Sequence, residues 1–201
     1  MSPLLPALLI LIFTISTTHA SPSASEEVRD VTGKKLLSGT NYYIVPVNGG
    51  GGLGFGRDEH SECPLHVVNR KIDGWDGVPV QFLPVNPKKG MVRVSTDLNV
   101  KSDTDTSCDP MVVWKISSFG HNVNHYFVTT GGSEGNPSCG TLDNWFKIEK
   151  YEDDYKLMYC PSVCKSRKKI ICQNIGIEVN DDGEGLLALS SKPFKVKFKK
   201  V

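Results

Sequence analysis

The chain has almost no net charge: 23 Lys and Arg stand against 22 Asp and Glu, a formal +1 at pH 7. No global field therefore draws it to nucleic acid or to an anionic lipid surface. Beyond residue 20 no apolar run is long enough to cross a bilayer, so no membrane partner is expected. Helical periodicity is almost missing, which argues against a helical fold. Catalytic groupings are missing too. Ser138-Cys139-Gly140 has no Gly-x-Ser-x-Gly elbow and no recognisable His or Asp partner. A Gly-x-Gly-x-x-Gly match within Gly49 to Gly56 is not framed by a strand and a helix, and reads as a flexible loop. His60, His66, His121 and His125 are scattered and read as surface or hairpin residues. Cys160, Cys164 and Cys172 cluster, but not at a zinc-finger spacing. Asn136-Pro137-Ser138 is no glycosylation acceptor, because proline occupies its middle position. The chain is not expected to be an enzyme, and no cofactor or metal is expected.

What is present begins with a leader. Leu4 to Ile15 is nearly unbroken apolar sequence, followed by the small polar stretch Ser16-Thr17-Thr18-His19-Ala20. That is a signal-peptide core with a small-residue cleavage site, although the only positive charge before it is the amino terminus. A membrane anchor is the weaker reading, since no basic stop-transfer flank follows. Residues 1–20 are read as the leader, 21–27 as a loose mature terminus and 28–201 as one domain. The expected destination is the extracellular space, ahead of the vacuole. All six cysteines lie in the mature part, and an even count behind a leader argues for disulfides. Spacing alone leaves about 15 connectivities. Charge is uneven locally: Glu149 to Asp154 is mostly acidic, while Lys165-Ser166-Arg167-Lys168-Lys169 and Lys192 to Lys200 are basic. These read as solvated loops and strand faces.

Short β-rich runs recur between turn residues. They are 42–45, 78–82, 91–94, 98–100, 112–116, 126–129, 145–148, 155–159, 175–179, 186–189 and 194–198. In Phe194-Lys195-Val196-Lys197-Phe198 apolar and charged residues alternate, the signature of a half-buried strand. Asp181-Asp182-Gly183-Glu184-Gly185 predicts a hairpin turn. About a dozen short strands imply a closed or sandwiched all-β architecture. Trp114-Lys115-Ile116 leads to Tyr126-Phe127-Val128, and Phe146-Lys147-Ile148 leads to Tyr155-Lys156-Leu157. Such a repeat favours a three-fold trefoil, and a sandwich would satisfy the same pattern.

Longer motifs carry a family resemblance. Val28-Arg29-Asp30-Val31-Thr32-Gly33-Lys34-Lys35-Leu36, five residues, then Tyr42-Tyr43-Ile44 resembles the N-terminal signature of the Kunitz soybean-trypsin-inhibitor family. Val92-Arg93-Val94-Ser95-Thr96-Asp97-Leu98-Asn99 and Asp143-Asn144-Trp145-Phe146-Lys147-Ile148 resemble its miraculin-like branch. So do Thr129-Thr130-Gly131-Gly132, Gly135-Asn136-Pro137, Leu187-Ala188-Leu189-Ser190 and Pro193-Phe194-Lys195. The resemblance implies a disulfide-bridged β-trefoil, twelve strands in three pseudo-repeats, secreted in plants and inhibiting proteases. It also implies pairing of Cys63 with Cys108 and of Cys160 with Cys172; the first would close a loop worth roughly 3–4 kcal/mol in the chain-entropy model. Cys139 and Cys164 are left over, as partners of each other, as free thiols or as intermolecular links. The Gln-x-Trp repeat of trefoil lectins is missing.

The resemblance places a reactive loop at Pro84-Val85-Asn86-Pro87-Lys88-Lys89-Gly90, ahead of Met91. Lys88 or Lys89 would enter a specificity pocket ending in a carboxylate, as in trypsin-like enzymes, while Pro84 and Pro87 hold their neighbours extended. The alternative is an ordinary surface turn. Strong inhibitors of the family brace this loop with an Asn side chain where this chain has Ser38, and Gly90 is expected to loosen it. The expected partner is a secreted serine protease, of the plant or foreign. A cysteine protease meeting another loop, or a non-inhibitory miraculin-like interaction or storage role, are the alternatives. The protein is expected to be a monomer.

Overall fold

The computed structural model describes residues 25–58, 61–108, 112–118, 126–165 and 170–201. The leader, His60, His121, His125 and residues 166–169 of the basic run lie outside the described residues. Among those described, the chain forms thirteen strands. In order they are β1 (Asn41–Pro46), β2 (Gly52–Asp58), β3 (Ser61–Arg70), β4 (Val80–Pro84), β5 (Leu98–Ser102), β6 (Val112–Val113) and β7 (Lys115–Ser118). They continue with β8 (Tyr126–Thr129), β9 (Lys147–Tyr151), β10 (Asp154–Tyr159), β11 (Gln173–Val179), β12 (Gly185–Ser190) and β13 (Lys195–Lys200).

The expected twelve become thirteen at Trp114. Val112 and Val113 pair with β5, and Trp114 N still donates to Val100 O at 2.9 Å. From Lys115 onward the chain pairs instead with β8. One run thus serves two layers and is split where it changes partner.

Six strands close into a barrel. β1 pairs with β4, β4 with β5, β9 with β10, β10 with β13 and β13 with β1. The remaining seam, between β5 and the start of β9, is sealed by Leu98 and Phe146, which exchange two N–H to O bonds of 2.9 Å. Closure leaves no barrel edge open to pair with another chain. The hairpins β2–β3, β7–β8 and β11–β12 form a cap over one end. They meet one another through Leu186 and Val68, Ala188 and Phe127, and His66 and Thr129. A six-strand barrel capped by three mutually paired hairpins is a β-trefoil. Its symmetry mates are these three cap hairpins. The repeat seen in the sequence pairs a cap hairpin, β7–β8, with a barrel hairpin, β9–β10, which occupy different layers.

Strand alternation fills the centre. Tyr42 and Ile44 of β1, Val80 and Phe82 of β4, and Val196 and Phe198 of β13 point inward and are buried. Phe82 meets Phe198 edge to face at 5.2 Å, and Phe146 stands against Trp114 and Tyr159 at 6.4 and 6.3 Å. On the outer face Lys195 and Lys197 pair with Asp154 at 3.2 and 3.6 Å, and Lys195 also meets Glu152 at 2.7 Å. The acidic run and the C-terminal basic run therefore face each other across β10 and β13.

Two expectations need correction and a third is narrowed. Gly52 to Gly56 is strand, not a flexible loop: a side chain at Gly54 would come within 2.8 Å of the Trp75 ring, so glycine admits Trp75. Met91 to Val94 is not a strand but bridges single residues of the N-terminal segment. Of the two readings of His66, surface or hairpin, the hairpin one holds: it lies in the β2–β3 hairpin and, at 4% exposure, sits where the cap hairpins meet, edge to face with Phe127 at 5.4 Å.

Three disulfides link Cys63 to Cys108, Cys139 to Cys164 and Cys160 to Cys172, with Cα separations of 5.5, 4.7 and 4.1 Å. The two leftover cysteines are joined to each other. Cys164 lies inside the ring closed by Cys160 and Cys172, so that loop is also tied to the 3-10 segment Cys139–Asn144.

Phe146→Ala removes a ring from the barrel seam and should cost about 3–5 kcal/mol, read from urea denaturation of the intact-disulfide protein.

Candidate functional site

The loop after β4 starts and ends on backbone hydrogen bonds. Pro84 is buried at the end of β4, and Val85 N donates to Asp97 O at 2.8 Å. Asn86 stands at φ −117°, ψ 87°, out of the helical region as a residue before proline must. Pro87–Lys89 then forms a single 3-10 turn, closed by Gly90 N donating to Pro87 O at 3.0 Å. Gly90 O in turn accepts from Ser38 N at 3.1 Å. Val85, Asn86, Pro87 and Lys88 are exposed.

Two expectations about this loop change. The prolines do not hold it extended: Asn86 lies outside both the helical and the extended regions, and Pro87 opens a helical turn that carries both lysines. A φ locked near −65° serves the first position of a 3-10 turn as readily as an extended strand. Gly90 also does more than loosen the chain. It sits at φ +63°, the left-handed region that ends such a turn, where a side chain would be strained. Ser38 braces the loop through its main chain.

Below the loop lies a ring of three backbone bonds. Val28 N donates to Val92 O at 3.0 Å, Val92 N to Leu36 O at 3.0 Å, and Leu36 N to Val28 O at 2.9 Å. All three side chains are fully buried. The chain leaving the loop is thereby gripped by both arms of the N-terminal segment. Asp30 makes the bend between those arms, accepting from Thr32 N at 2.8 Å, Thr32 Oγ1 at 2.7 Å and Lys34 N at 3.0 Å. Burial works to raise the Asp30 carboxyl, but the Thr32 and Lys34 donors outweigh it and hold it below the usual carboxylate range. Glu27 sits among Lys35 at 2.9 Å and Arg93 and Arg29 at 3.6 Å each, and it too is lowered, chiefly by the Lys35 hydrogen bond.

Beside the loop's entry, the Asp97 carboxylate accepts from Ser162 N at 3.1 and 3.2 Å and from the Ser162 hydroxyl. Lys147 Nζ lies 3.8 Å away. No local signal around Asp97 marks this role, because Ser162 is 65 residues distant. The turn-making role of Asp30 is a local one, since an Asp side chain commonly bonds the backbone two residues on.

Little here suggests catalysis. Ser138, dismissed as a nucleophile, opens the 3-10 segment and donates its backbone N–H to Thr141 Oγ1 at 3.2 Å. Among the described residues no three His, Cys, Asp or Glu side chains gather as metal ligands. Surface hollows of about 350 Å³ beside Ile72 and Val179, and about 410 Å³ beside Lys150 and Tyr155, are lined by no residue of the 84–90 loop.

Comparison with known proteins places this scaffold. The Kunitz legume family model, described as trypsin and protease inhibitor, matches residues 28–200. The chain belongs to that family. Among Kunitz relatives, it is similar to Kunitz trypsin inhibitor 5 of Arabidopsis thaliana, 41% identical over 203 residues, covering 100% of this chain and 99% of that one. It is also similar to miraculin of Synsepalum dulcificum, 42% identical over 190 residues, covering 90% and 86%. Among solved structures, the Kunitz-type cysteine protease inhibitor PCPI-3 from potato superposes with a TM-score of 0.76 at 33% identity, covering 89% of this chain and 98% of that one. Family members of this kind are inhibitors rather than enzymes, and this Kunitz chain is accordingly not an enzyme.

Two outcomes follow from the geometry. Gly90→Ala should destabilise by about 1 kcal/mol through strain at positive φ, and Gly90→Asn by less, in matched urea titrations. A depressed Asp30 pKa means the folded state binds this proton less readily than the unfolded chain, so its contribution is complete above the unfolded value, about 3.9. It fades as pH falls through the folded value. Between pH 7 and pH 3 the native protein should therefore lose more stability than Asp30→Asn.

Proposed function

We propose that the protein is a secreted inhibitor of trypsin-like serine endopeptidases, released from a leader at residues 1–20 and acting as a monomer. The observation that carries this reading is the exposed Lys88 in a loop pinned at both ends, Val85 to Asp97 and Gly90 to Ser38. A long cation on a fixed base suits a pocket ending in a carboxylate. Pinned ends also reduce the conformational entropy lost on docking. Lys88 and Lys89 are both candidates for the pocket residue. The similarity to Kunitz trypsin inhibitor 5 supports the same partner class.

One observation favours a second reading. A protease cleft takes an extended segment, whereas Pro87–Lys89 is wound into a 3-10 turn that must open on binding. That opening subtracts from affinity. Inhibition of a cysteine protease through another loop, or a non-inhibitory role, then gains weight, and the potato relative is named for cysteine protease inhibition.

A panel of serine, cysteine and aspartic proteases separates these readings. Replacing Lys88 and Lys89 together by Ala should remove about 2 kcal/mol, roughly thirtyfold, from trypsin affinity. Unchanged inhibition of trypsin by that variant sinks the loop assignment, and inhibition confined to cysteine proteases supports the second reading.

A further inference from the structure

The backbone on either side of the 84–90 loop holds apolar residues in the open. Met91, directly after Gly90, bridges Leu37 of the N-terminal segment. Ser38 N donating to Gly90 O at 3.1 Å and Val92 N donating to Leu36 O at 3.0 Å flank that bridge. Leu37 and Met91 are therefore an antiparallel pair without bonds to each other, the kind whose side chains stand closest and on one face. Alternation puts Leu36 and Val92, both fully buried, on the inner face. Leu37 and Met91 take the outer one, and Leu37 is 44% exposed there. Its backbone is fixed all the same. Leu37 N donates to the hydroxyl of buried Tyr42 at 3.0 Å, and its carbonyl accepts from Thr40 N at 3.4 Å. At the other end of the loop Val85 is exposed too, on a main chain held by Asp97 O.

A single exposed leucine needs no explanation. This one is paired with a methionine, whose flexible thioether chain fits uneven surfaces, and the pair stands beside the residues that follow the loop lysines. In a substrate-like complex the bond after the pocket lysine faces the nucleophile, so residues beyond it meet the leaving-group side of the cleft. We propose that Leu37 and Met91 form an apolar contact for the protease wall on that side, with Leu37 a specificity-determining residue supplied from outside the loop. This role rests on the inhibitory reading of the Lys88–Lys89 loop. The occupant is the protease itself, because the pair is continuous with the loop through Gly90. Unlike the lysines, whose turn has to open, the pair sits on backbone already in place, so little ordering entropy is lost when it is covered.

The test compares trypsin inhibition by the native protein, Leu37→Ala, Leu37→Met and the variant with Lys88 and Lys89 both replaced by Ala. Covering the exposed part of a leucine side chain corresponds to about fivefold in affinity. Leu37→Ala should therefore weaken inhibition about fivefold, in the dissociation rate and equally at low and high salt. Leu37→Met should stay within about twofold of native. Hydrogen exchange of the free proteins separates contact from support: the Ser38 and Val92 amides should keep native protection in Leu37→Ala. Unchanged inhibition by Leu37→Ala, while the double-lysine variant loses it, overturns the contact and leaves the loop reading standing. Faster exchange at Ser38 or Val92 makes Leu37 a brace of the loop and overturns the contact as well. So does self-association of the free protein that Leu37→Ala abolishes in sedimentation, since the pair then belongs to a second copy. A native protein that inhibits no trypsin-like protease overturns both readings.

Discussion

The structure depends on one seam. Five of the six junctions around the barrel run between strands that pair over two or more residues, but β5 meets the start of β9 through a single-residue bridge, Leu98 with Phe146. Two hydrogen bonds there convert an open curled sheet into a closed barrel, and closure is what removes exposed edges from an all-β chain. Both residues are fully buried, so the bonds are shielded from water and the flanking side chains are drawn to the same place. Asp97 and Lys147 are those flanking residues. The seam that closes the fold thus also positions the groups that hold the surface loops.

Rigidity at the candidate loop comes from main-chain bonds rather than from a bracing side chain. The Val28, Leu36 and Val92 ring grips the exit of the loop, and Asp97 O grips its entry. Such bonds do not depend on side-chain identity, and Ser38 holds Gly90 O through its backbone N–H. The conformation between those two grips is another matter. With Pro87 at its start and Gly90 at its end, the segment winds into a 3-10 turn, because each residue suits that position sterically. An anchored base with a wound tip is a loop that meets a partner in place but has to unwind to fill a cleft.

Charge follows the same logic of long-range pairing. A near-neutral total conceals two opposed runs, and folding sets them side by side: Glu152 and Asp154 face Lys195 and Lys197. Glu27 gathers Arg29, Lys35 and Arg93 in a similar way at the N-terminal arm. Exposed pairs of this kind contribute little each, and their effect is to fix which faces adjoin. Lys88 and Lys165, by contrast, are exposed on loops.

Composition, alternation and motif were enough to show an all-β trefoil, the strand runs of β1, β4, β10 and β13, and the position of the candidate loop. These are local properties: a period of two, a turn glycine or a proline acts within a few residues of itself. The pattern erred where a residue's meaning comes from afar. Gly54 reads as flexible until Trp75 is seen above it, and His66 as surface or hairpin until the cap hairpins converge on it. The hairpin repeat pointed to three-fold symmetry although its two members occupy different layers, so the trefoil was reached through a pairing that the fold does not contain. Only tertiary structure joined Cys139 to Cys164, since spacing carries no information on which thiols approach. Only tertiary structure wound the lysines of the 84–90 loop into a turn and set Ser162 on Asp97. Those outcomes depend on contacts across tens of residues, whose energies appear only once the barrel has closed.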